Sequence, residues 1–238
     1  MSGWASCRPP SSTASPERTT VTPMVICPAC GQENPEGFRL CGMCGAALPS
    51  APAPAREERK VVTILFTDLV GSTARAEGLD PEDVRATLSA YYAQLRAELE
   101  RYGGTVEKFI GDAVMAIFGA PVSHEDDPER AVRAALAIRD SIGEELQIRT
   151  AVNTGVALVA LGARAVEGEG MVSGDVVNTA ARLQSAAPVN GILVGEGTYR
   201  ATRHAIEYQD APSVEAKGKS EPVKVWEAVA ARSRFGSD

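Results

Sequence analysis

No stretch of this sequence is long and apolar enough to cross a bilayer, which takes about 20 consecutive apolar residues, so no membrane association is expected. The N-terminus lacks the apolar core of a secretory signal, which points to a cytoplasmic protein. Basic residues are in deficit, with 24 Lys and Arg against 31 Asp and Glu and a net charge of −7. A general nucleic-acid binder would carry the opposite balance. There is no internal repeat. What is present is an ordinary globular composition, 44% hydrophobic and 23% charged over 238 residues, enough for one good-sized domain and a small module.

Residues 1–23 are rich in Ser, Thr and Pro with few large apolar groups and read as disordered. Met24, an alternative translation start, directly precedes a cysteine module over residues 24–48. The Pro-Ala run at 49–56 is a semi-rigid linker. The main domain is expected over 57–229, with 230–238 as a loose tail. The module contains two Cys-x-x-Cys-Gly units, 27-CPACG-31 and 41-CGMCG-45, separated by ten residues. Cys27, Cys30, Cys41 and Cys44 fit a tetrahedral, structural Zn²⁺ site in a small zinc ribbon, each pair ending in a glycine that allows a tight turn. The alternative, two disulfides, does not suit a reducing compartment. With few basic or aromatic residues nearby, the module suits a protein partner or a regulatory contact better than a specific nucleic acid. Cys7 receives no role.

The main domain alternates strand and helix patterns. Lys60–Asp68 reads as a buried strand. Asp80-Pro81-Glu82-Asp83 is a helix start, with a capping Asp, Pro in the first turn and acids at the positive dipole end. Val84, Leu88, Tyr91, Tyr92, Leu95 and Leu99 repeat at helical spacing until Gly103-Gly104. Thr105–Ile110 and Ala113–Phe118 flank the turn Gly111-Asp112. Asp127-Pro128 opens a second helix to about Ile142. Ile148–Asn153 and Val156–Leu161 read as another hairpin, Gly174–Ala187 as a third helix, and Ile192–Val194 and Val223–Val229 as later strands. The leading order β-α-β-β-α-β is the ferredoxin-like arrangement: an α+β fold, an antiparallel sheet with helices on one face, here with appended strands.

Two carboxylates occupy special places. Asp68 ends the apolar run in 64-ILFTDLVGST-73, and Asp112, forty-four positions later, sits in the turn of 108-KFIGDAVMAIFG-119. One Asp in a turn is usually a turn residue or a cap. Two brought together repel unless a cation lies between them, and hard oxygen ligands with no His or Cys nearby suit Mg²⁺ or Mn²⁺. Two such ions stabilise both the attacking and the leaving oxygen of a phosphoryl displacement. Gly71, Ser72 and Thr73, just after Asp68, offer free backbone N–H groups as a phosphate cradle.

FTDLVGST, KFIGDAVMAIFG, GDVVNTAARL and the late KGKSEPV together resemble the class III nucleotidyl cyclases, the adenylate and guanylate cyclase catalytic domain, across residues 57–229. The resemblance implies attack of the ATP 3′-hydroxyl on the α-phosphorus, forming 3′,5′-cyclic AMP and pyrophosphate. It implies that Asp68 and Asp112 bind two Mg²⁺ or Mn²⁺ ions, with the Leu69 carbonyl as a further ligand. By the same resemblance Lys108 contacts the purine, Asn178 orients the ribose, Arg182 neutralises the transition state and Lys217 holds the terminal phosphates. Lysine at 108 favours ATP, because an ammonium donates to adenine N1 whereas guanine presents a donor there. The second purine-reading position is Met171, where the family usually carries Asp, Thr or Ser. A thioether is a poor acceptor for the adenine amino group, which leaves a backbone carbonyl or looser selectivity. Family sites form between two domains, so one chain carrying both halves implies a homodimer with two equivalent sites. The competing reading is a degenerate cyclase-like domain that binds nucleotide or a partner without turnover. A third reading, a zinc-ribbon nucleic-acid protein, would require salt-dependent binding by residues 24–48.

Overall fold

The computed structural model describes residues 24–35, 37–48, 56–72, 80–142, 146–161, 171–215 and 221–232. The N-terminal segment 1–23, most of the linker, Thr73, Lys217 and most of the tail lie outside the described residues. The chain divides into two compact units, Met1–Pro54 and Ala55–Asp238.

In the first unit, β1 (Met24–Ile26) pairs antiparallel with β2 (Glu33–Pro35). Two turns follow one pattern. Gly31 N–H donates to the Cys27 carbonyl, and Gly45 N–H donates to the Cys41 carbonyl, each at 2.9 Å. The apolar centre is small: Cys27, Cys41 and Leu48.

The second unit is built on one long antiparallel pair. β3 (Arg56–Leu69) runs beside β6 (Ile148–Leu161) in unbroken register from Arg56↔Leu161 to Leu69↔Ile148. β4 (Thr105–Ile110), β5 (Ala113–Phe118), β8 (Ile192–Gly195), β9 (Ile206–Val214) and β10 (Val223–Ala231) complete the order β4-β5-β3-β6-β8-β10-β9, and β7 (Val172–Ser173) pairs with β6. The first four strands of that order are the expected ferredoxin-like core, all antiparallel. β8 joins β6 in parallel.

The expected hairpin at 148–161 is instead the single strand β6. Gly155, read from sequence as part of a turn, serves close packing: a Cβ there would meet Val176 Cγ2 at 3.3 Å. The strand holds its partner through cross-strand threonine hydroxyl pairs, Thr63 with Thr154 and Thr67 with Thr150, both at 2.9 Å.

Side chains alternate across β3, so each face carries its own core. Leu65 and Leu69 join a cluster with α1 (Pro81–Arg101) and α2 (Asp127–Ser141), the two helices of the βαββαβ core. Val62, Ile64 and Phe66 join a second cluster with Val176 and Ala180 of α3 (Asp175–Ala186). α3, which follows the βαββαβ core, therefore covers the opposite face. α4 (Glu196–Thr202), β7 and β9 were not expected from the sequence. α1 begins as its sequence dictates: the Asp80 carboxylate accepts from Glu82 N–H at 3.1 Å, and Pro81 stands in the first turn. Tyr91, Leu95 and Leu99 are its buried stripe. Among the described residues no helix is long and apolar enough to cross a membrane.

Candidate functional site

Asp68 is the penultimate residue of β3 and half-buried. Strand alternation places it on the face of Ile64 and Phe66, the face that α3 covers. Asp112 lies in the turn after Gly111, whose φ of 62° lets the β4–β5 hairpin close tightly. Because β5 pairs with β3 up to Thr67↔Val114, the hairpin turn arrives beside the end of β3.

The electrostatics register that meeting. The Asp68 carboxyl is pushed from 3.8 up to about 6. Burial is the main cause, followed by the Asp112 charge and a hydrogen bond shared between the two carboxyls. The Leu69 N–H and the Gln184 amide of α3 pull in the opposite direction. One oxygen, Asp68 Oδ1, is buried and has no hydrogen-bond partner among the described residues. Ser72 Oγ donates to Asp112 Oδ2. Two converging carboxylates, one with an unpartnered buried oxygen, form a hard-oxygen set that fits a divalent cation such as Mg²⁺ or Mn²⁺. The Ser72 hydroxyl is thus committed to Asp112, while the expected phosphate cradle rests on backbone N–H groups, of which those of Gly71 and Ser72 lie among the described residues.

Aromatic packing holds the hairpin. The Tyr92 hydroxyl, from α1, donates to the Gly111 carbonyl. Its ring lies 4.7 Å from that of Phe109, over which the Arg96 guanidinium sits at 5.5 Å. The Tyr92 phenol is raised above its usual range by burial and then by the negative charges of Asp112 and Asp68.

Lys108 is exposed on β4. The β4–β5 register shifts between Val106 and Lys108, leaving Glu107 at a bulge. The Glu107 carboxylate accepts the backbone N–H of Met171, which is half-buried ahead of β7. Asn178 and Arg182 sit one helical turn apart on α3, Asn178 exposed and Arg182 half-buried. Neither makes a hydrogen bond or ion pair among the described residues. Leu69 buries its aliphatic side chain in the core, and its backbone carbonyl is the group that can serve as a ligand.

In the first unit, Cys27, Cys30, Cys41 and Cys44 hold their sulfurs within 4.8 Å of one another. Cys27–Cys44 and Cys30–Cys41 are 3.6 Å apart. A tetrahedral Zn²⁺ with bonds of about 2.3 Å sets sulfurs about 3.8 Å apart, whereas a disulfide would bring them to about 2 Å. All four are free thiols. Cys41 is lowered to about 6 by backbone N–H groups of Cys44 and Met43, and its sulfur also receives the Asn34 amide at 3.6 Å. Such a thiol is prepared to bind as thiolate.

The family pattern described as adenylate and guanylate cyclase catalytic domain matches residues 55–227, and a zinc-ribbon domain pattern matches residues 26–48. This chain belongs to the class III nucleotidyl cyclase family. Adenylate cyclase 1 of Rhizobium meliloti is 29% identical over 184 residues, 72% of this chain and 28% of that protein. The chain spans well under half the length of the curated relatives it matches. The crystal structure of the adenylyl cyclase CyaB from P. aeruginosa superposes with a TM-score of 0.68 at 31% identity, covering 76% of this chain and all of that one. The guanylate cyclase domain of RhGC from Catenaria anguillulae, in complex with GTP, gives 0.68 at 27% identity, covering 75% and 100%. The cyclase family is thus settled, while relatives of both base specificities surround it. Three contacts at the site of this cyclase domain leave no legible mark in the sequence. Gln184 lies two residues beyond Arg182, Tyr92 looked like one more apolar helix position, and Glu107 gave no signal because a bulge cannot be read from spacing.

Proposed function

We propose that this chain is an adenylate cyclase acting as a homodimer in the cytoplasm. The observation that carries this reading is the convergence of Asp68 and Asp112, with a buried oxygen that lacks a partner among the described residues. Asp68, Asp112 and the Leu69 carbonyl would hold two Mg²⁺ or Mn²⁺ ions, which supply cationic charge to the reacting phosphate when bound. The 3′-hydroxyl of ATP attacks the α-phosphorus in line, forming the ring and expelling pyrophosphate. The Arg182 guanidinium neutralises charge that builds on the equatorial and leaving oxygens, and Asn178 fixes the ribose. Lys217 binds the terminal phosphates, Gly71, Ser72 and Thr73 offer backbone N–H groups to them, and Lys108 donates to adenine N1. That Asn178 and Arg182 have no partner among the described residues supports their serving a twin protomer's metal site. The zinc ribbon is a structural module with a docking or regulatory role.

The test is purified chain with ATP or GTP and Mn²⁺, with products separated by chromatography. Cyclic AMP is expected from wild type and none from Asp68→Ala or Asp112→Ala, which should stay folded. No cyclic nucleotide from wild type, at concentrations where the dimer forms, would refute it. Met171 favours a second reading, a nucleotide-binding regulatory domain without turnover, and the same assay separates the two.

A further inference from the structure

Glu107 connects two positions that the cyclase reading places at the base. It precedes Lys108, and its carboxylate takes the Met171 backbone N–H. Neighbours on a regular strand point to opposite faces. Here the register breaks between Val106 and Lys108, and a bulge of this kind re-aims a side chain and is frequent beside active sites. One bond to Met171 uses one of about four acceptor positions on a carboxylate, and Glu107 is only half-buried.

We infer that Glu107 is the acceptor that reads the exocyclic amino group of adenine, in place of the Met171 side chain. The inference rests on the adenylate cyclase reading and adds to it a residue for base selection. Lys108 gives a hydrogen bond to N1, and the carboxylate held at Met171 stands at the neighbouring position of the base edge, where adenine offers N6–H. Guanine in the same pose sets its N1–H against the ammonium and its O6 against the carboxylate. Both pairings fail, so the donor–acceptor pair selects ATP over GTP although a thioether occupies position 171. The bond to Met171 N–H also holds the carboxylate in place before substrate arrives.

The experiment compares wild type, Glu107→Ala and Glu107→Gln by kcat/KM with ATP and GTP, and by binding of ribose-labelled fluorescent ATP and GTP. Thermal melts verify folding. Glu107→Ala should lower the ATP-to-GTP ratio by about tenfold or more, since a site built around a polar partner discriminates strongly. Glu107→Gln keeps an oxygen in place and should retain most of the preference. Adding Met171→Asp to Glu107→Ala should restore it. A ratio within about twofold of wild type in Glu107→Ala overturns the inference, as does an equal loss for both nucleotides, which marks a merely structural contact. If Glu107→Ala does not fold, Glu107→Asp, one methylene shorter, is held to the same criterion. If wild type makes no cyclic nucleotide, the cyclase reading fails alone, and the binding ratio still decides the role of Glu107. Wild type that binds both nucleotides equally, or neither, overturns it.

Discussion

Replacing Asp68 by asparagine should stabilise the metal-free protein while removing its response to metal. Lifting a carboxyl from 3.8 to about 6 corresponds to at most about 3 kcal/mol of unfavourable free energy for the ionised form. Asp68 is only partly enclosed, so solvent screening leaves about 1 kcal/mol. The sign follows from proton counting. Between pH of about 4 and 6 the native state binds more protons than the unfolded chain, so this group's effect lowers stability as pH rises through that window. Above pH 6 the destabilisation is complete, and below pH 4 it vanishes. Asparagine is nearly isosteric, carries no charge and can donate to Asp112. For a unit of this size about 1 kcal/mol raises the melting temperature by about 2–4 °C. Melts in EDTA at pH 8 should show that gain, and at pH 4 the two proteins should melt together. Mn²⁺ at about 100 times its Kd should stabilise wild type by about 2.7 kcal/mol and leave the variant nearly unmoved. A variant less stable than wild type in EDTA at pH 8, or one that keeps the Mn²⁺ gain, refutes the argument that the two carboxylates oppose each other across a cation site.

Other expectations follow from the same contacts. Mn²⁺ affinity, followed by calorimetry, should weaken as pH falls below about 6, because the cation must displace the Asp68 proton; a flat profile between pH 5 and 8 contradicts this. Tyr92→Phe removes the bond to the Gly111 carbonyl and should weaken Mn²⁺ binding severalfold while costing about 1 kcal/mol of stability, both read by melts with and without metal. A mixture of Asp68→Ala and Arg182→Ala chains should recover activity that neither has alone, through one intact composite site; no recovery from a mixture shown to form mixed dimers excludes sites shared between protomers. Purified protein should contain about one zinc per chain, and Cys41→Ser should lose it, as measured by metal analysis after dialysis.

The sequence by itself determined the local elements with strong physical causes. Asp80-Pro81 and the Tyr91, Leu95, Leu99 stripe set α1, the Gly111-Asp112 turn set the β4–β5 hairpin, and the spacing of four cysteines set the metal centre. It also marked Asp68 and Asp112 as a pair, since each follows a strand-like apolar run. Its period-2 pattern does not reveal where a strand ends if a glycine interrupts it. Thr154-Gly155 therefore reads as a turn, although Gly155 admits Val176 and β6 continues. Burial on both faces of β3 blurred which helix lies where, and only packing put α3 opposite α1 and α2. Tertiary structure alone decided the contacts that tune the site: Ser72 on Asp112, Gln184 beside Asp68, Tyr92 on Gly111 and Glu107 on Met171. These join residues from 19 to more than 100 positions apart in the chain. Side-chain hydrogen bonds depend on atoms placed within a few tenths of an ångström, and that placement comes from strand register, a bulge and helix packing, none of which local residue patterns encode.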